Sequence, residues 1–446
     1  MVPAPLHAHR SVSALRRVAA RVGDAWRHYY WVVSGALAAV GVLAMGRPFV
    51  ARHGLDAPLP HGDTIILEYV GWFVARGNTL YVDVWEIKPP LAFVPSYLLA
   101  EATGGDVYAL HVGGMVLTGV ALVVTVAATA RVVGHATDAP AAGFVAGLAF
   151  FAVPGFFYAP WLGYKAKALA FAFGAVGLDR TVRGRYASGG LSAGLAVGVW
   201  QLGVVFPLLT AGCAVAAGTR TDLRRHAAGG AAAALAVVVA LLLLGDVEGF
   251  VAEVVLAPVA LQSDRPGIDP RALFGFVPGW NGGILALAGG AGLALAAVDP
   301  ADVRERVLAG GVVPLAGVLL VDFDGFWDVL YPLWFVAVGV GALVGRLPRR
   351  RRLLAGVLLV ALLAPAFAPG DHVRHDPVET RPSDGRPPSL DAEREHVYWT
   401  GQPVRSCRFF GARTQRSVLA HDPDADTLAE SPCGDLGPYL NALRGG

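Results

Sequence analysis

The chain has 446 residues, of which 55% are hydrophobic and 16% are charged, and its mean hydropathy is +0.53. Soluble proteins carry roughly 25% charged residues, so this composition excludes an ordinary soluble domain and predicts an all-α, polytopic membrane protein. The formal net charge is only +2, and no basic stripe with interleaved aromatic residues is present. The sequence therefore indicates no nucleic-acid partner.

Apolar runs of about 15 to 25 residues recur along the chain and predict membrane-spanning helices. The first, Tyr30–Met45, follows an arginine-rich N-terminal segment and lacks an obvious cleavage site, so we expect a retained span. Leu91–Ala102 is too short to cross and predicts a re-entrant or interfacial helix. The later runs are Tyr108–Ala130, Ala141–Val153, Ala166–Leu178, Leu191–Gln201, Leu202–Ala217, Ala231–Leu244, Ile284–Val298, Val307–Leu320, Val329–Val344 and Leu353–Phe367. Together they predict about eleven spans of a helix bundle.

Arginine clusters orient these spans, because cytoplasmic loops carry an excess of basic residues. The clusters are the N-terminus, Arg180–Arg185, Arg220–Arg225, Arg304–Arg306 and Arg346–Arg352. We therefore expect a multi-pass cell-membrane protein with a cytoplasmic N-terminal segment (1–29), a transmembrane domain (30–368) and an exterior C-terminal tail (369–446). The first exterior loop is predicted over residues 46–90. The tail is either a small cap joined by a Cys407–Cys433 disulfide or mostly disordered.

The exterior loop contains the densest group of ionisable residues beside an apolar run, and such groups are functional hypotheses by default. They are Asp63, Glu68, Asp83, Glu86 and Lys88. Apolar and aromatic residues between Ile65 and Phe73 recur at near-helical spacing, which predicts an amphipathic helix lying on the membrane interface. Gly77 and Asn78 are expected to end it.

Lysine is rare in this chain. Only Lys88, Lys165 and Lys167 are lysines among 36 basic residues, and all three fall in segments predicted to lie on the exterior face. Codon bias toward arginine explains the scarcity equally well. If the placement is functional, a carboxylate there would take a proton from an acceptor hydroxyl. The lysines would hold a lipid phosphate and stabilise its growing charge.

The loop sequence resembles the first exterior loop of the GT-C membrane glycosyltransferases. The matching features are Gly62-Asp63, an aromatic-rich helix, Gly77, Tyr81, and the run Asp83-Val84-Trp85-Glu86-Ile87-Lys88-Pro89-Pro90-Leu91. The likeness is greatest to the protein-mannosyltransferase and aminoarabinose-transferase-like group. It implies a polyprenyl-phosphate sugar donor and inverting transfer on the exterior face, with Asp63 as the base and Lys88 as a contact of the lipid phosphate.

Two positions depart from that family pattern. Thr64 follows Asp63 where many members have a second acid, and Trp200-Gln201 stands near the place where members often carry a lysine. We infer that Lys165 or Lys167 has taken over phosphate binding.

Each candidate also has a plainer interpretation. Asp63 would cap the helix that follows it, Glu86 would simply pair with Lys88, and Lys165 and Lys167 would extend from the end of a span toward water. Tyr331, proposed here as a ligand contact, would belong to the interfacial aromatic belt. Glu68 would be solvated. The Asp322-x-Asp324 pair would form an exterior turn or bind a hard cation; we predict no metal cofactor.

The resemblance, together with the ionisable residues of the loop, implies a membrane glycosyltransferase that moves a hexose, expected to be mannose, from a dolichyl- or polyprenyl-phosphate sugar to a glycan or protein acceptor on the exterior face. The catalytic residues would be Asp63 and Glu86, and the binding residues Lys88, Lys165, Lys167 and Tyr331. The arginine-rich usage and acidic tail are compatible with a halophilic archaeal source, which favours dolichyl over undecaprenyl donors. The alternatives are a transporter or lipid flippase and a non-catalytic assembly partner.

Overall fold

The computed structural model describes residues 6–53, 63–84, 86–256, 279–300, 302–321 and 330–363. Within these ranges the chain is almost wholly helical, and only isolated bridges at Leu80 have strand-like pairing. The helices are α1 (Leu6–His53), α2 (Asp63–Ala75), α3 (Val94–Ala102), α4 (Val107–Ala136), α5 (Pro140–Ala149), α6 (Gly155–Tyr158), α7 (Ala166–Val182), α8 (Tyr186–Val199), α9 (Val205–Ala217), α10 (Arg220–Leu244), α11 (Val247–Phe250), α12 (Gly279–Val298), α13 (Val303–Gly310), α14 (Val312–Val321), α15 (Leu330–Gly345) and α16 (Arg349–Leu363).

Three segments of the described helices are long and apolar enough to cross a membrane: Asp24–Ala51, Val107–Ala136 and Arg220–Leu244. The helices Pro140–Ala152 and Gly155–Leu162 are bent by 78° relative to each other. If this pair counts as one span, it is a fourth candidate. The remaining apolar helices are shorter, so the count of about eleven spans stays a prediction. α1 continues to His53, into the segment expected to begin the first exterior loop.

Two of the predicted breaks are present in the structure. A short 3-10 turn (Pro90–Ala92) and α3 occupy the run that is too short to span. The long apolar stretch from Leu191 to Ala217 is interrupted at Trp200, where the backbone is extended between α8 and a 3-10 turn before α9. The Val307–Leu320 run, expected as one helix, is divided between α13 and α14 at Gly311.

The bundle is held together by close contact between helix backbones. α4 packs against α1, α5 and α7, α7 packs against α8, and α8 packs against α10. Glycines at these crossings leave no room for a side chain: a Cβ at Gly190 would lie 2.1 Å from the carbonyl oxygen of His226, and one at Gly229 would lie 2.0 Å from that of Ala187. Small residues drive helix association in membranes because they allow such approach. These glycines of α8 and α10 therefore have a packing role.

Helix α2 is not the amphipathic interfacial helix that its sequence predicts. Every residue from Leu67 to Val74 is buried, including Glu68, because α2 packs against α3 and α4. A Cβ at Gly71 would lie 2.3 Å from the Cβ of Ser96, which shows how closely α2 and α3 approach. The periodic pattern was misleading since the intervening residues face other protein segments and not water.

Candidate active site

The site is built where the loop after α2 meets the end of α10. The Leu80 amide donates to the Leu244 carbonyl at 2.8 Å, and the Asp246 amide donates to the Leu80 carbonyl at 3.2 Å. A Cβ at Gly249 would lie 2.4 Å from the Tyr81 carbonyl oxygen, so α11 lies directly on this loop. These contacts bring residues separated by about 165 positions in the sequence to one end of the bundle.

Glu86 and Lys88 form a buried ion pair within this junction. Lys88 Nζ donates to Glu86 Oε1 at 2.9 Å, and the Ile87 amide donates to the same oxygen at 2.9 Å. Glu253 accepts the Glu86 amide at 2.7 Å from the short π-helical segment Val251–Leu256. π-Helical turns are rare and concentrate at functional sites. Glu253 is fully buried and was not identified from the sequence, because no local motif surrounds it.

Tyr81 fixes the backbone of Lys88. Its hydroxyl donates to the Lys88 carbonyl at 2.7 Å, and the residue has φ of +68°, which is strained for a bulky side chain. Burial raises the pKa of the Tyr81 phenol well above its ordinary value, and the charges of Glu86 and Glu253 raise it further. The phenol therefore stays protonated and continues to donate this hydrogen bond at every physiological pH.

Trp200 joins the loop lysine to a lysine of α7. Its ring centroid lies 5.4 Å from Lys88 Nζ and 4.7 Å from Lys167 Nζ. The neighbouring Gln201 side chain donates to the Ile87 carbonyl, which attaches the same segment to the loop. The position noted as a departure from the family pattern is thus where two of the three lysines meet.

The backbone of Lys165 is held by a buried polar network. Its amide donates to the Thr118 hydroxyl at 2.9 Å, and that hydroxyl donates to the Gly163 carbonyl at 3.0 Å. Glu68 accepts the Tyr164 amide at 2.7 Å, and its other oxygen lies 2.7 Å from Nδ1 of His111. The expectation that Glu68 is solvated is therefore wrong, because this residue is completely buried between three segments.

The start of α2 adjoins the segment that carries Lys165. A Cβ at Gly163 would lie 2.4 Å from Cγ2 of Thr64, so the helix that begins at Asp63 adjoins the segment that carries Lys165. The side chain of Asp63 lies outside the described part of the chain. The two regions nevertheless occupy the same end of the bundle.

All three lysines are buried, with exposed fractions of 7%, 5% and 7% for Lys88, Lys165 and Lys167. Buried charges are costly unless they are paired or used. Lys165 and Lys167 therefore do not extend toward water in the way that their plainer interpretation required.

Tyr331 lies in the interior of the bundle. It is 1% exposed, and its ring contacts that of Phe171 at 4.4 Å between centroids. Phe171 is one helical turn along α7 from Lys167. This burial excludes a place in a lipid-facing aromatic belt, while ligand contact by Tyr331 stays a prediction.

An arginine-rich cluster occupies the opposite end of the same helices. Asp179 pairs with Arg183 and lies 3.6 Å from Arg131 Nε, at the C-terminal ends of α7 and α4. α7 has 17 residues, which corresponds to about 25 Å of helix. Arg183, one of the arginines predicted to be cytoplasmic, and the lysine site are therefore separated along the axis of α7. Which end faces the cytoplasm stays a prediction.

Metal-binding geometry is absent from the described residues, where no three His, Cys, Asp or Glu side chains lie together. The Asp322 and Asp324 pair lies outside the described residues, as do Cys407 and Cys433. Among the described cysteines, Cys213 is buried and unpaired.

Known proteins resemble this chain in sequence and in fold. Residues 77–243, which include the loop, the three lysines and Trp200, match the family model described as DolP-mannose mannosyltransferase. The dolichol phosphate-mannose mannosyltransferase of Haloferax volcanii is 26% identical over 290 residues, which are 64% of this chain and 62% of that relative. This chain's match thus spans less than two thirds of the relative's length.

A solved structure shares the fold. The crystal structure of ArnT from Cupriavidus metallidurans bound to undecaprenyl phosphate superposes with a TM-score of 0.54 at 15% sequence identity, covering 93% of this chain and 76% of ArnT. The resemblance found in the loop after α2 is confirmed: the chain is similar to a dolichol phosphate-mannose mannosyltransferase and to the DolP-mannose mannosyltransferase family model, and it shares its fold with ArnT.

Proposed function

We propose that this protein is a membrane mannosyltransferase that transfers mannose from a dolichyl- or polyprenyl-phosphate donor to a hydroxyl group of a glycan or protein on the exterior face. The observation that carries the proposal is the burial of all three lysines at one end of the bundle, within the segment that matches the mannosyltransferase family. The Haloferax relative and the lipid phosphate bound to ArnT support the same class of donor.

The reaction exchanges one bond for another at the anomeric carbon. The acceptor oxygen attacks that carbon from the face opposite the phosphate, and its proton passes to the Asp63 carboxylate. The bond from the anomeric carbon to the phosphate oxygen breaks, and its electron pair leaves with the lipid phosphate. Attack from the opposite face inverts the anomeric configuration.

The lysines act on the leaving group. A sugar phosphodiester carries one negative charge, whereas the released phosphate monoester carries nearly two at neutral pH. Lys88, Lys165 and Lys167 stabilise the charge that develops during bond cleavage, and they do so strongly because the site is shielded from water. In this scheme Glu86 holds the Lys88 ammonium in place through their 2.9 Å contact.

The test is mannose transfer by the full chain reconstituted in lipid vesicles, with radiolabelled dolichyl-phosphate mannose as donor and a membrane fraction as acceptor. Asp63→Asn removes the base but keeps a side chain that caps a helix well. We expect transfer to fall by a factor of about 100 to 10,000 if one general base is lost.

Asp106→Asn is the matched control. Asp106 accepts the Ala109 amide at 2.9 Å as the N-cap of α4, and asparagine replaces it there without loss of the cap. Transfer at the wild-type rate by Asp63→Asn would remove Asp63 from the mechanism. If the wild-type protein transfers no mannose but moves the donor lipid across the vesicle bilayer, the result would favour a flippase.

A further inference from the structure

The arginine end of the bundle brings the early turns of the first apolar span against the last turns of α4. A Cβ at Gly134 would lie 2.1 Å from the Tyr30 hydroxyl oxygen, so α1 and α4 are in direct contact there. The contact lies near the start of one apolar span and near the end of the other. Trp26 and Tyr29, on the same turns of α1, are 36% and 61% exposed. Exposed tryptophan and tyrosine at the end of a span are typical of the headgroup region of a bilayer.

Arg131 is held in this region by an aromatic stack. Its guanidinium carbon lies 4.5 Å from the centroid of the Trp31 ring, and its Nε lies 3.6 Å from an oxygen of Asp179. That separation is longer than a normal hydrogen bond. Within the part of the chain that the structure describes, the Arg131 side chain donates no hydrogen bond. Because 28% of this side chain is exposed, its rigid fork of N–H donors is available to an anion at the bilayer surface.

Asp179, the carboxylate beside Arg131, is already engaged by another arginine. Arg183 Nε donates to Asp179 Oδ1 at 3.0 Å, and Arg183 Nη2 donates to Oδ2, which is the bidentate geometry of a strong pair. Arg180 is half-buried, makes no hydrogen bond or ion pair with any described residue, and repels the charge of Arg131. Three guanidinium charges less one carboxylate charge leave an excess of two positive charges at these helix ends.

We propose that Arg131 and Arg180 bind the phosphate group of an anionic phospholipid in the leaflet at the arginine end of the bundle. Basic pockets between transmembrane helices suit lipid headgroups, and the planar guanidinium matches the geometry of phosphate oxygens. Trp31 is a positioning residue, because it fixes the plane of the Arg131 fork through their stack. The bound phosphate bridges the ends of α4 and α7. This site is separate from the lysine site and does not depend on the proposed transferase activity.

The test gives the full chain a choice of two probes, phosphatidylglycerol and phosphatidylcholine, in nanodiscs that contain equal amounts of both. Native mass spectrometry counts the molecules of each lipid that stay bound after the nanodisc is removed. An arginine near an anionic headgroup strengthens binding by about fivefold. We therefore expect Arg131→Gln and Arg180→Gln each to lower the ratio of phosphatidylglycerol to phosphatidylcholine by about fivefold, and the double variant by about 25-fold. Arg131→Lys keeps the charge without the planar fork and should fall between Arg131→Gln and the wild type.

The double variant Arg224→Gln/Arg225→Gln is the matched control. Both arginines are exposed in the early turns of α10, beside the start of α8 and so at the same end of the bundle, and Arg225 pairs with Asp222 at 3.3 Å. This control removes the same number of charges and leaves the Trp31 stack intact, so we expect an unchanged lipid ratio.

Asp179→Asn tests the sign of the effect. It removes the carboxylate that competes with the lipid phosphate for Arg131, so the ratio of phosphatidylglycerol to phosphatidylcholine should rise. Damage to the fold would lower the ratio instead. Thermal denaturation of every variant reports whether the fold is intact.

Three results would overturn the inference. The first is a wild-type lipid ratio in a folded Arg131→Gln/Arg180→Gln variant. The second is an equal loss in the Arg224→Gln/Arg225→Gln control, which would show that the whole surface attracts anionic lipid. The third is complete displacement of phosphatidylglycerol by soluble glycerol 1-phosphate at equal concentration, which would assign the site to a free phosphate. Mannose transfer does not enter these ratios, so loss of the proposed function and loss of the lipid site are measured separately.

Discussion

Gly163 lies where the start of α2, α4 and the Lys165 segment meet, and replacing it with alanine tests that junction. Its φ of +104° and ψ of −157° lie in a region that residues with a Cβ rarely adopt, at a cost of about 1–3 kcal/mol. The added Cβ would also lie 2.4 Å from Cγ2 of Thr64, 2.5 Å from Cε1 of His111 and 2.6 Å from Oε1 of Glu68. Overpacking of this kind costs about 1–3 kcal/mol. We therefore expect Gly163→Ala to lower the free energy of unfolding by about 2–6 kcal/mol.

The same substitution should impair transfer more than stability alone explains. Relief of the overlap moves α2 away from the Lys165 segment, and a displacement of about 1 Å between catalytic groups reduces rates by roughly 100-fold. Thermal denaturation in nanodiscs and the vesicle transfer assay measure the two effects on the same preparation. Folded, purified protein that is stable at the assay temperature but transfers slowly is the expected result.

Substitutions at two other glycines separate the cost of backbone strain from the cost of overpacking. Gly104 has φ of +62° with nothing within 4 Å of an added Cβ, so Gly104→Ala isolates the backbone cost. Gly230 is helical with the same open surroundings, so Gly230→Ala should be neutral or slightly stabilising. Stability and transfer of Gly163→Ala equal to those of Gly230→Ala would refute the close junction of α2 with the Lys165 segment.

Glu68→Leu removes the acceptor of two buried hydrogen bonds, one of them from the His111 ring. We expect the free energy of unfolding to fall by about 3–5 kcal/mol. An unchanged midpoint of chemical or thermal denaturation would contradict the buried network. Glu253→Gln keeps an oxygen that accepts the Glu86 amide, so we expect it to retain most transfer activity, whereas Glu253→Leu should lose this activity. Equal transfer by the two variants would show that this hydrogen bond does not support the site. Asp179 lies at the arginine end of α7 and pairs with Arg183. We therefore expect Asp179→Asn to lower the thermal stability and to leave the KM for the donor lipid unchanged. A raised KM would show that the arginine end and the lysine end of α7 are coupled.

The helical membrane architecture follows from sequence alone because the lipid environment restricts a spanning chain to a few solutions. Apolar length, arginine position and turn residues are local properties, and they predict the short helix within Leu91–Ala102 and the division of the Leu191–Ala217 run. The resemblance of the loop also needs only local sequence, because its motif lies within about 30 consecutive residues.

The partners of each charged residue are decided only by the tertiary structure. Sequence periodicity assigns a polar face to α2 and solvent to Glu68, but it carries no record of the helices that cover both. Glu253 reaches the loop from 167 residues away, and Lys88 and Lys167 meet on an indole from a third segment. Composition and hydropathy are sums over neighbouring residues, so they predict which segments enter the bilayer. The positions of the ammonium groups depend on helix contacts between segments that are distant in sequence, and those contacts exist only in the folded chain.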